Sequence, residues 1–136
     1  MKEASLKAAF IGFIAVLSVM PTVYAQRIPD DVAQRVILSE GADQGLKGMI
    51  CIGEVLHHRA NVVGFYGYRS NWINKEPRSG WKMAAKAWKE SAHTNYTKGA
   101  DHFENIHRFG TPWWVKYCVK TYEYKDHVFY KEVRRR

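Results

Sequence analysis

The residues able to do acid–base chemistry set the first question for this chain. Glu40 closes a short apolar turn, Val36-Ile37-Leu38-Ser39-Glu40, and is followed by a corner marked by Gly41 and Gly45. A carboxyl held at a helix end above a buried helix is a place where an acid of raised pKa can arise. An ordinary solvated residue at a helix end fits the same spacing, and spacing alone favours that plainer reading. Glycosidases that use two carboxylates place them roughly 5–9.5 Å apart. Glu54 lies fourteen positions after Glu40, which on a continuous helix is about 21 Å, so it is a poor partner. Asp101 and Glu104 come from a different stretch, and nothing in the sequence fixes how near they come. The six histidines, His57, His58, His93, His102, His107 and His127, lack the HExxH spacing of a zinc peptidase. His57 and His58 are neighbours and point about 100° apart on a helix. The expectation is therefore no metal and no cofactor.

The elements that must position Glu40 can be read on either side of it. Ile28-Pro29-Asp30-Asp31 is a helix start, with proline in the first turn and acids beside the exposed amides. Val32, Val36 and Ile37 give that helix its apolar side. Gly41 is expected to stop it, and Asp43 to cap a second helix with Leu46, Met49, Ile50, Gly53 and Leu56 on one stripe. Residues 60–80 read as a long loop, in which Phe65, Tyr66, Tyr68 and Trp72 either stack on sugar rings or close a core. Helical spacing returns from Trp81 to His93, with Met83, Ala84, Ala87, Trp88 and Ser91 on one side. A dense stretch, Asp101-His102-Phe103-Glu104-Asn105, precedes a short helix at Trp113, Trp114 and Tyr117. The chain then alternates around a Lys125-Asp126 turn, which predicts a hairpin. Helices first and a little sheet last make the class α+β, mostly helical with a short C-terminal β-hairpin.

Residues 1–25 read as a secretory signal. Lys2 and Lys7 open it, an uncharged apolar run follows to Met20, and Val23-Tyr24-Ala25 offers small residues for cleavage after Ala25. The run is shorter than the roughly 20 residues a membrane anchor needs. Residues 26–136 then form one domain, with export to the periplasm or beyond the cell expected and no stable membrane insertion. The whole chain carries +8, and the leader accounts for Lys2, Lys7 and Glu3, leaving +7. A basic exported protein is drawn to anionic polymers such as cell-wall material. The basic residues are scattered rather than arranged in a stripe, so nucleic acid is not the expected partner. In an oxidising compartment Cys51 and Cys118 either form one disulfide or remain free, Cys51 as a small hydrophobe inside its helix.

The series SEGADQGLKGM, EVLHHR, AAKAW, GADHFEN, PWW and DHVFY resembles the germination-type cell-wall hydrolase (spore-cortex-lytic enzyme) family, over about Asp30 to Val133. The resemblance implies a compact lysozyme-like catalytic domain. It implies peptidoglycan as partner, with glycan strands cleaved between N-acetylmuramic acid and N-acetylglucosamine, and Glu40 as the catalytic acid. His102, Phe103, Asn105, His127 and Tyr130 are the candidates for substrate contact. The chain departs from the family in carrying His58-Arg59 where Asn-Arg usually closes the second helix. It also carries Glu104 where an aromatic commonly follows the His-Phe pair. With one suitable acid, a lytic transglycosylase is the reading that fits. A muramidase using water and a second carboxylate is the neighbouring alternative, and a non-enzymatic cationic wall-binding module is the third.

Overall fold

The structure of the protein, a computed structural model, describes residues 27–133. The leader assigned to residues 1–25 lies outside the described residues. Helix α1 spans Asp30–Gly41, with Pro29 at its N-cap and Asp30 and Asp31 in its first turn. Helices α2 (Gly45–Arg59) and α3 (Arg78–Ser91) follow, then a single turn, α4 (Ile106–Phe109). Three 3-10 helices occupy Gly67–Arg69, Asn71–Lys75 and Trp113–Tyr117. Strands β1 (His102–Glu104), β2 (Cys118–Tyr124) and β3 (His127–Glu132) form an antiparallel sheet in the order β1-β3-β2. The class is α+β, as the order of helices and strands predicts.

Helix α2 is the spine. Every residue from Gly48 to Leu56 is buried, the pattern of a helix covered on all sides rather than on one stripe. One side packs on α1 and α3 through Ile37, Leu38, Ile52, Leu56, Ala84 and Trp88. The other side sends Cys51 and Val55 against Ala100 and Phe129 of the sheet region. Phe103 touches both clusters, so β1 is the seam between the helical part and the sheet. Glu54 is buried in this spine, and its two carboxylate oxygens accept from the Tyr96 amide (2.7 Å) and the Thr97 amide (2.9 Å). That anchors the segment connecting α3 to β1.

The corner after Glu40 differs in detail from expectation. Helix α1 runs through Gly41, and Ala42 keeps right-handed angles. A Cβ at Gly41 would meet Ile52 Cδ1 at 2.7 Å, so this glycine serves the close approach of α1 and α2. The turn itself depends on Gly45, whose φ of +73° suits glycine. Gln44, not Asp43, stands at the N-cap of α2, and it makes no capping bond.

The long loop is also more ordered than its composition suggests. Ala60, at φ +57°, closes α2 by donating to the Leu56 carbonyl. Phe65 and Ile73 then enter the core while Tyr66 and Trp72 stay exposed. Arg35 holds the segment to α1, donating to the Tyr68 carbonyl (3.0 Å) and to Asn74 Oδ1 (2.8 Å). Helix α3 begins at Arg78, and Met83 faces solvent rather than the core. The hairpin turns at Lys125 (φ +50°), with Tyr124 opposite His127 and Cys118 opposite Glu132. The third strand, β1, was not evident from the sequence, because three residues are too few to show a period of two.

Both cysteines are free, which corrects the disulfide alternative. Cys51 is spent on the packing between α2 and the sheet, while Cys118 opens β2. Burial, then the nearby Glu54 charge, pushes the Cys51 thiol up to about 12, so it is inert at neutral pH. Burial also raises the Cys118 thiol.

Candidate active site

A cleft of ≈400 Å³ lies where four segments meet. The α1–α2 corner contributes Ser39, Glu40, Asp43 and Gln44, and the start of the long loop adds Gly64 and Phe65. From β1 and α4 come Phe103, Glu104, Asn105, Arg108 and Phe109. The hairpin turn supplies Asp126 and His127. Glu40 sits here because α1 ends here, its apolar face held by the core one turn earlier.

Glu40 is half-buried, and its carboxyl pKa is raised, first by loss of water and then by the negative charge of Glu104. Among the described residues no hydrogen bond supports its charged form, so nothing opposes that shift. The Gly67 backbone lies over it, where a Cβ would come within 3.8 Å of Oε1. Glu104 is oriented by accepting from the Asn105 amide at 2.8 Å. Asn105 in turn caps α4, its Oδ1 accepting from the Arg108 amide at 3.1 Å.

The far wall is tied by Gln44. Its buried amide donates to Asp43 Oδ1 and to Asp126 Oδ2, both at 2.9 Å, and its oxygen accepts from the Asp126 amide at 3.3 Å. His127, buried beside this tie, packs edge-on against Phe103 with ring centroids 4.9 Å apart. Burial lowers its pKa, although Asp43 and Asp126 pull the other way, which leaves a neutral imidazole at the cleft wall at neutral pH. The cleft is acidic inside a protein of net charge +8.

Of the residues singled out from sequence, the structure brings Glu40, Phe103, Asn105 and His127 to this cleft. His102 and Tyr130 are not among its lining residues. They pair across β1 and β3, one position out of step with Phe103 and Phe129, and alternation puts them on the other face of the sheet. Asp101 is likewise engaged elsewhere, receiving His102 Nδ1 (2.8 Å) and the Glu132 amide (2.9 Å). His57 stacks on Trp88 at 3.9 Å, and His58 Nδ1 meets the Ala100 carbonyl at 2.9 Å. Gln44 and Arg108 were missed. A glutamine in a polar corner and an arginine in a single helical turn carry no periodic signal.

The fold that carries this cleft has counterparts of known structure. The catalytic domain of the SleB protein of Bacillus cereus superposes with a TM-score of 0.55 at 19% identity, over 77% of this chain and 92% of that one. The catalytic domain of the germination-specific lytic transglycosylase SleB from Bacillus anthracis gives 0.54 at 20% identity, over 82% and 100%. The fold is that of the SleB catalytic domain. It is the fold that the sequence resemblance implied. No family model matches the chain, and no curated protein matches its sequence.

Proposed function

We propose that this protein is an exported enzyme that cleaves the glycan strands of peptidoglycan between N-acetylmuramic acid and N-acetylglucosamine, as a lytic transglycosylase. The observation that carries the reading is Glu40, a desolvated carboxyl without a stabilising donor, facing an open cleft in a SleB-like fold. A raised pKa keeps a useful fraction of Glu40 protonated, as a general acid requires. Its proton goes to the glycosidic oxygen as the C1–O bond breaks, and the N-acetylglucosamine leaves as an alcohol. The carboxylate then takes the proton of the muramic 6-hydroxyl, whose oxygen bonds to C1. The product is a 1,6-anhydro sugar, and Glu40 ends protonated. Phe103 and His127 provide an apolar wall and Asn105 a polar edge for the sugar.

Glu104 supports a second reading. Its carboxylate lines the same cleft and acts on Glu40 through its charge, so it can stand as the second carboxylate of a muramidase that uses water. Mass spectrometry of digested peptidoglycan separates the two. Anhydro-muropeptides that vanish with Glu40→Gln establish the transglycosylase. Reducing-end muramic acid, lost with either Glu40→Gln or Glu104→Gln, establishes the muramidase. Intact strands with the unmodified protein overturn both and leave a wall-binding module.

A further inference from the structure

The outer face of the sheet carries a second concavity, away from the acid–base site. It has a volume of ≈200 Å³ and is lined by His102, Trp113, Trp114, Tyr117, Cys118 and Glu132. Trp114 stands edge-on to Tyr130 (centroids 5.5 Å, 84°) and tilts over His102 (4.9 Å), which fixes it as the floor. Trp113, by contrast, is 75% exposed, although it is one of the largest apolar side chains in the protein. It stands at 79° to Tyr117, with centroids 6.3 Å apart, so the two rings form a corner and not a closed stack. At the polar edge, Asp101 accepts from His102 Nδ1 and from the Glu132 amide. That fixes the His102 ring and places Glu132, an exposed residue, at the rim.

An exposed indole face beside oriented polar groups matches a sugar ring, which offers C–H bonds on its faces and hydroxyls at its edge. The concavity is too small and too rimmed with charge for the core of a protein interface, which needs more than about 1,000 Å² and is depleted of charge at its centre. We propose that this groove, with Trp113 as stacking face and His102 and Glu132 as polar edge, is a second glycan-binding site that holds the protein on the wall polymer while the cleft works elsewhere on it. The proposal rests on peptidoglycan being the substrate. It also gives a use to His102, which the cleft does not employ.

The test is co-sedimentation of the full mature protein, carrying Glu40→Gln so that strands stay whole, with purified peptidoglycan sacculi. High salt suppresses attraction due to net charge alone. Adding Trp113→Ala is expected to weaken binding about tenfold, with far-UV circular dichroism and melting temperature unmoved because the side chain is exposed. Adding Glu132→Gln is expected to weaken it about threefold, and soluble N-acetylglucosamine oligomers compete with the sacculi. Unchanged binding by the Trp113→Ala protein overturns the proposal. So does a Trp113-dependent dimer in analytical ultracentrifugation with sacculus binding unaltered, which makes the groove a contact between copies. Binding is read without cleavage. Loss of the enzymatic reading therefore shows as intact strands with the unmodified protein, independently of the Trp113 result.

Discussion

Glu40 and Glu54 are two carboxyls withdrawn from water on adjacent helices, and they differ in what replaces the water. Glu54 is the more deeply buried and is answered by two backbone amides. Those bonds replace the lost water and tie α2 to the segment connecting α3 to β1. Glu40 is less buried but meets no donor among the described residues, and the charge acting on it, Glu104, is of its own sign. Depth of burial therefore does not mark the carboxyl proposed as the acid. The absence of compensation does.

The largest expected effect separates the two directly. Glu40→Gln should lower strand cleavage by about 10²–10⁴-fold, the loss expected for a general acid, while leaving the fold intact. Glu54→Ala should do the opposite. It strands the Tyr96 and Thr97 amides and is expected to cost about 2–5 kcal/mol in urea unfolding, with activity following the folded fraction. Should Glu54→Ala unfold at the same urea concentration as the unmodified protein, the structural role assigned to Glu54 is wrong.

Glu104→Gln sharpens the comparison. Without that negative charge, less opposes ionisation of Glu40, and its pKa moves down. Since the proposed mechanism needs protonated Glu40, the alkaline limb of kcat/KM should shift to lower pH, read from a pH–rate profile.

A smaller effect lies in stability. A carboxyl whose folded pKa is raised contributes stability that is complete below its unfolded value, near 4.5, and lost as pH rises through the folded value. Glu40→Gln should therefore match the unmodified protein in acid and exceed it in melting temperature at neutral pH. His127 runs in the other sense. Its lowered folded pKa withdraws stability as pH falls from about 6.5 towards that lower value. His127→Phe should flatten this part of the stability profile in thermal melts across pH 5–7.

Much of this was legible in the chain because it is local. Pro29-Asp30-Asp31 marks a helix start whatever surrounds it, and Val36, Ile37 and the position of Glu40 follow from helical spacing. The Lys125-Asp126 turn announced its hairpin in the same way. What could not be read depends on partners distant in sequence. The helical stripe indicated one buried side of α2. The second side, with Cys51 and Val55, exists only because Phe129 and Ala100 come to cover it. His102 and Phe103 are neighbours in sequence, yet pairing with β3 sends them to different faces. The raised pKa of Glu40 rests on burial by the loop and on Glu104, both supplied by the tertiary fold.

The tie made by Gln44 has a mechanical consequence. Asp43 belongs to the α1–α2 corner and Asp126 to the hairpin turn, and one buried side-chain amide clasps both. At that end the cleft wall is set when the chain folds, because the hairpin turn cannot swing away from the α1–α2 corner without breaking two hydrogen bonds to one buried side chain.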